Sequence, residues 1–394
     1  MSNVGTWMET VALGRYVQEE TGKAAWAGVV AAAGFIPTAV VGLLGGALAD
    51  RVKRQRLLIF ASLLQATIAA VLTWLVHAGR ATPSLIALLA LLSGCGGAIG
   101  FPAWQTAVPD LVPPDEVPSA IGLSSVQWNL GRVVGPVIAG VVMSFWGITT
   151  ALLCNVASFF AVTIAASIVR IPDRPPAPKQ SVVKTVADGW RIVRHTPALR
   201  AMNRSMCAAV FIAAPFIALI PAMVEHVLHA GRAANSALVT AQGVGAVMAG
   251  VALGSVVQRW GMRLTMVRMM ALLAPALVLY GLAPNLWTMV SALALVGAAY
   301  MGTLSSFSTI GQTLAPSSSR GRVMAINNAT LGVFYPIGAI LQGSLGDSFG
   351  IRQVTVTSGV VLAAVMVATR LLRPGFTAAI ATPQDDLASA TATV

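Results

Sequence analysis

Any chemistry in this chain must come from a few charged side chains set in apolar surroundings. Glu9 and Arg132 each lie deep inside a long apolar run. A third group is the stretch Gly45-Gly46-Ala-Leu-Ala-Asp50-Arg51-Val-Lys53-Arg54-Gln-Arg56, which joins the apolar runs Trp26 to Ala49 and Leu57 to His77. A carboxylate in an apolar helix can take up and release a proton. An arginine in the same setting stays charged, so it must pair or meet an anion. Bases beside an acid at a helix end can form charged contacts with acids on neighbouring turns, and Asp110, Asp115 and Glu116 are available for that.

Other constellations lead nowhere. Glu225-His226-x2-His229 reverses the order of the zinc-protease motif and falls at the outer end of an apolar run, so it reads as loop decoration. Cys95, Cys154 and Cys207 are isolated within apolar segments, without metal or redox spacing, and read as packing residues. No Walker-type phosphate loop is present, so ATP is not expected as the energy source and no cofactor is expected. An enzyme needs a convergent acid, base and nucleophile or metal set; four scattered histidines and few buried acids do not supply one.

The elements that position these residues follow from composition. Of 394 residues, 56% are hydrophobic and 10% charged, and the mean hydropathy is +0.79. A soluble domain carries roughly 25% charged residues. Apolar runs long enough to cross a hydrocarbon core of about 30 Å predict an all-α polytopic membrane protein. Twelve transmembrane helices are expected, near 2–18, 26–49, 57–77, 83–108, 119–144, 149–169, 203–225, 236–257, 264–283, 286–314, 322–345 and 352–372. Met1 leads straight into the first apolar stretch, so no cleavable signal peptide is expected.

The net charge of +12 arises from bases clustered in loops on one side, such as Lys53, Arg54, Arg191, Arg263 and Arg322. That pattern orients a membrane protein with both termini in the cytoplasm and gives no reason to expect nucleic acid. Between the sixth and seventh runs, a Pro-rich segment leads into Ser181 to His195. There Val182, Val183, Val186, Trp190 and Val193 repeat at helical spacing, opposite Lys184, Asp188, Arg191 and Arg194. This predicts an amphipathic helix on the cytoplasmic membrane surface. The domains are therefore a six-helix bundle (1–170), a linker with that helix (171–200), a second six-helix bundle (201–373) and a polar, disordered tail (374–394).

The two halves echo each other. Gly22-Lys23-Ala24-Ala25 matches Gly231-Arg232-Ala233-Ala234, Gly46-x3-Asp50-Arg51 matches Gly254-x3-Gln258-Arg259, and Gln105-Thr106 matches Gln312-Thr313, all at nearly the same separation. Two parallel six-helix pseudo-repeats imply a binding site at their interface and rocking of one against the other.

Twelve spans, a central cytoplasmic loop and the Gly-Asp-Arg-basic turn after span two resemble the major facilitator superfamily. Gly5-Thr6-Trp7-Met8, Val108-Pro109-Asp110-Leu111-Val112-Pro113, Asn129-Leu-Gly-Arg132-Val-Val-Gly135-Pro136 and Arg320-Gly-Arg322-Val-Met324 are similar to its transmembrane secretion effector group, which includes enterobactin-exporter-like proteins. The resemblance implies a secondary-active transporter of the bacterial cytoplasmic membrane, acting as a monomer on a small molecule. Gly46, Asp50, Arg51, Arg54, Arg56 and Asp110 correspond to the cytoplasmic gating motif, and Gly254 with Arg259 to its second-half copy. Gly122, Gly131, Gly135, Pro136 and Gly140 resemble the antiporter motif, with Ala139 where a glycine is usual. That motif implies proton-coupled export; an importer or facilitator, and a non-transporting scaffold, stay open.

Related proteins carry a turn or two of apolar helix before the position of Met1, so the first span is expected to be short and its start truncated. Gln258 replaces the acid of the repeated turn, Trp104 stands where relatives often have arginine, and Glu9 where they often have an amide. At 1.5 Å per residue Glu9 lies about 15 Å, and Arg132 about 20 Å, below the outer ends of their helices. They are therefore expected at similar depth, either as a proton and anion site or as a structural ion pair. Trp7, Gln105, Gln127, Asn129, Tyr300, Ser305, Ser306, Gln312, Asn327 and Asn328 are further polar or amphipathic residues inside spans, some lining a cavity and others bonding between helices.

Overall fold

The computed structural model describes residues 2–49, 52–113, 116–172, 182–315, 320–373, 375, 376 and 380. Among them all regular structure is helical. Where neither water nor a neighbouring strand can satisfy the backbone, a helix must satisfy it internally. Eight helices among the described residues are long and apolar enough to cross a membrane. The chain divides into two compact units, Met1–Val182 and Val183–Val394.

The first unit runs α1 (Ser2–Thr21), α2 (Ala24–Ala49), α3 (Arg54–His77), α4 (Pro83–Ala107), a 3₁₀ turn (Val108–Leu111) and α5 (Val117–Ile168). At 20 residues, α1 is about 30 Å long, longer than the short first span expected. Thr82 caps α4 by accepting from the Leu85 amide, with Pro83 in its first turn. At 52 residues α5 is too long for one crossing. Gly147, at φ 81° and ψ 173°, divides it into arms 117–146 and 148–168 in a conformation closed to L side chains.

The second unit runs α6 (Val182–His195), α7 (Pro197–Ala208), a π turn (Ala209–Ala213), α8 (Phe216–His226), α9 (Arg232–Leu282), α10 (Leu286–Leu314), α11 (Arg320–Phe349) and α12 (Ile351–Leu372). The turn expected between the spans ending at 257 and starting at 264 is narrowed to a single residue after Gln258 and Arg259. The helix continues through both and breaks only at Gly261 (φ 74°, ψ 163°). Arg54 and Arg56 likewise belong to the first turn of α3, not to the preceding connection.

Small residues set the helix spacing. A Cβ on Gly94 of α4 would collide with the Gly34 carbonyl of α2, and one on Gly297 of α10 with the Gln242 carbonyl of α9. Backbones in van der Waals contact gain dispersion energy that lipid tails cannot match. Met8, Leu13, Val17, Leu72, Ile86 and Leu152 then fill the centre of the first unit.

The amphipathic helix expected at Ser181 to His195 corresponds to α6, and protein covers part of its apolar face while Trp190 stays exposed. Val193 is buried with Leu199, Ala315, Val323 and Ile326, and Val186 and Ile192 pack against that cluster. Gly189 permits the approach, since a Cβ there would lie 2.9 Å from the Arg322 carbonyl oxygen. Val182 and Val183 lie outside the described side chains.

Candidate transport site

The site is built around α1. Its residues at i and i+4 share a face, and two such pairs point in different directions. Asn3 and Trp7 face the first arm of α5; Gly5 and Glu9 face the second. A Cβ on Gly131 would overlap the Asn3 side chain. One on Gly135 would lie 2.6 Å from Trp7 Cβ and 2.8 Å from the Val4 carbonyl oxygen. These two glycines of the span-five motif are therefore the seat of α1. Ala139 follows one turn later, fully buried. Pro136 and Gly140 are buried in the same arm. The Trp7 ring reaches Phe35 of α2 at a centroid distance of 6.4 Å.

On the opposite side, a Cβ on Gly5 would overlap Asn155 and Ser158 of the second arm. One turn further, Asn155 Nδ2 donates to Glu9 Oε2 at 2.5 Å. Glu9 is 7% exposed and Asn155 is 0% exposed. Ser158 Oγ lies 2.7 Å from the Asn155 backbone carbonyl and 3.3 Å from its Oδ1, able to donate to either. The amide thus presents its NH₂ to the carboxylate while its oxygen is turned towards a hydroxyl. The partner seen at Glu9 is Asn155, on the second arm of α5, whereas Arg132 belongs to the first. The side chains of Arg132 and Asn129, and Gly122, lie outside the described residues.

The charged turn is described in part. Asp50 and Arg51 lie outside the described residues, and so does Asp115. Arg54 forms an ion pair with Asp110 of the 3₁₀ turn, with side chains 11% and 12% exposed. Lys53 is the N-cap of α3, with no side-chain bond to the helix's first amides. The helix N-terminus carries partial positive charge, so bases in its first turn are unfavourable unless paired. Asp110 supplies that counter-charge to Arg54, and Arg56 is exposed. Next to the pair, Gln55 Nε2 donates to the carbonyls of Ala166 (2.9 Å) and Val169 (3.1 Å) at the end of α5. The start of α3 is thereby tied to two neighbours at once.

Among the described residues the second unit shows no matching pair at Gly254 and Arg259. Gly254 has nothing within 4 Å of a built Cβ, and Arg259 is exposed with no ion-pair partner among the described residues. Its polar contacts lie deeper. Gln342 of α11 donates from Nε2 to the carbonyls of Phe211 (3.2 Å) and Ile212 (2.8 Å). A π turn shifts carbonyls out of the regular i, i+4 ladder, and Gln342 satisfies two of them. One turn earlier, a Cβ on Gly338 would overlap the Phe211 carbonyl. Asn203 Nδ2 donates to Thr330 Oγ1 at 2.9 Å.

The remaining sequence candidates divide by exposure. Gln105 and Gln312 are exposed, whereas Gln127, Ser305 and Asn328 are half-buried. Tyr300 is 3% exposed and packs edge-on against Phe216. Ser306 is buried and bonds its own helix at the Gly302 carbonyl. Asn327 is 3% exposed and sits against Gly311.

A family model described as a transmembrane secretion effector matches residues 1–390. The chain belongs to the transmembrane secretion effector family. This is a family of major facilitator transporters, not enzymes, and the chain is a multi-pass membrane protein. It is 23% identical over 352 residues to macrolide efflux protein A of Streptococcus pyogenes, covering 88% of this chain and 87% of that one. It is 29% identical over 322 residues to the enterobactin exporter of Escherichia coli, covering 78% and 73%. Its fold resembles that of a bacterial homologue of the human lysosomal transporter Spinster, with a TM-score of 0.74 at 14% identity over 96% and 95% of the two chains. Within this family frame, the α1–α5 interface and the Arg54–Asp110 pair are the places where charge and close packing coincide.

Proposed function

We propose that this secretion effector family member exports a small organic molecule across the bacterial cytoplasmic membrane by proton-coupled alternating access, working as a monomer with both termini in the cytoplasm. The carrying observation is Glu9. A carboxylate 7% exposed within a membrane protein, held among the described residues by an amide donor from another helix, is suited to exchange a proton as the helices around it move. Lipophilic antibiotics and siderophore-like metabolites are the cargo classes, since relatives are named for a macrolide and for enterobactin.

Two six-helix pseudo-repeats fit the described elements. Dividing α5 at Gly147 and α9 at Gly261, and joining α7 to α8 through the π turn, accommodates twelve crossings. Gly135 receives a backbone carbonyl of α1, and Gly338 one from the π turn that joins α7 to α8. They stand as far apart in the chain as the positive-φ glycines Gly147 and Gly350. Rocking of such halves needs contacts that form on one stroke and release on the other. The Arg54–Asp110 pair, with Asp50, Arg51 and Arg56 close to it in the sequence, is our candidate latch. Exposed, unpaired Arg259 supports an asymmetric latch carried by the first half.

Proteoliposomes holding the full chain, with an imposed proton gradient and a panel of macrolides and catecholate chelators, test the reading. Concentrative transport abolished by a protonophore is expected, and Glu9→Gln should retain downhill exchange while losing the proton-driven component. Absence of transport under either gradient polarity would overturn it.

A further inference from the structure

The docking of α6 leaves its opposite flank outward. With Gly189 and Val193 against α11, the residue between them in the sequence with the largest side chain, Trp190, is 52% exposed. Arg194 lies one turn beyond Trp190 on the same side, and Lys184 and Arg191 share a row at i and i+7; all three are exposed. Two contacts fix the helix in place. Arg322 lies 3.7 Å from Asp188, which holds α6 to α11 and engages its only acid. Arg200 donates from Nη1 to the Arg194 carbonyl at 3.3 Å, which binds the end of α6 to the first turn of α7, the start of a membrane-length helical segment.

We propose that this flank is a binding surface for anionic phospholipid headgroups. Tying α6 to the first turn of a membrane-entering helix places its outward side at the depth of the headgroups. There an indole has an apolar body for the acyl boundary and an N–H for the polar layer. Lysine and arginine next to it select anionic over zwitterionic lipid by charge. The apolar stripe holds the helix to protein, so the lipid contact is made by tryptophan and bases. A fully apolar face buried in the acyl region would bind without regard to headgroup charge.

The test uses the full chain in nanodiscs. The emission difference between wild type and Trp190→Phe isolates this tryptophan, and acyl-brominated lipids quench it on contact. A base near an anionic surface shifts partitioning about fivefold, so brominated phosphatidylglycerol should quench at least about twofold more than the same fraction of brominated phosphatidylcholine. The preference should vanish in Lys184→Gln/Arg191→Gln/Arg194→Gln and shrink at high salt. Equal quenching by the two lipids, quenching by neither, or a preference that survives the triple substitution would each overturn the proposal. Because all three bases are exposed, the triple variant should keep the wild-type elution volume and thermal midpoint. If it does not, Arg191→Gln alone, with its expected partial loss of preference, decides the matter.

Discussion

Asn155 donates to the Glu9 carboxylate across two helices that the sequence separates by most of the first unit. This bond and the Gly131–Gly135 seat hold α1 from opposite sides. What protonates Glu9 therefore also touches the packing of α1 between the two arms of α5.

Removing either partner tests that link. Asn155→Ala leaves a buried carboxylate without its donor, whereas Glu9→Gln keeps the shape. In membranes, hydrogen bonds between helices couple by about 0.6–1.7 kcal/mol. A double-mutant cycle of Asn155→Ala and Glu9→Ala, which removes the acceptor that Gln would retain, read by unfolding in mixed micelles, should return a coupling in that range. A value at zero would show that the two side chains act independently.

The seat of α1 can be challenged with single methyl groups. Gly135→Ala places a Cβ against the Val4 carbonyl and the stem of Trp7, neither of which can swing aside. Overpacking of this kind costs about 1–3 kcal/mol. Gly254→Ala faces open space and should be neutral or stabilising through helix propensity. Thermal midpoints in detergent should fall for the first substitution and hold or rise for the second.

The Arg54–Asp110 pair predicts a charge-swap rescue. Asp110→Asn leaves a largely buried guanidinium beside a positive helix end, and transport should fall at least about tenfold with insertion unchanged. Arg54→Asp with Asp110→Arg should recover part of that loss, measured as initial efflux rate at equal surface expression. Asp50→Asn should cut transport severely too, because the acid belongs to the same motif. Near-normal turnover of that variant would remove it from the latch.

Gln342→Leu should loosen the π turn. Two carbonyls lose their donor, at about 1–3 kcal/mol for a buried group left unsatisfied. Hydrogen–deuterium exchange should rise selectively over Ala209–Ala213. A uniform rise across the second unit would point instead to general destabilisation.

Sequence alone determined the membrane class, the approximate positions of the apolar runs and the motifs at Gly46–Arg56 and Gly122–Gly140. Each rests on local information: hydropathy over a bilayer's thickness, or glycine and charge at short spacing. Tertiary structure alone decided which helix each motif meets. The span-five glycines seat α1, Glu9 is held by Asn155, Arg54 selects Asp110, and Gln342 answers a π turn that no residue pattern announced. The face of α6 shows the difference most clearly. Its valines and Trp190 read as one lipid-seeking stripe, since hydropathy reports that a surface avoids water but not what covers it. Only the packed chain set Val186 and Val193 against protein and left Trp190 and the bases pointing outward.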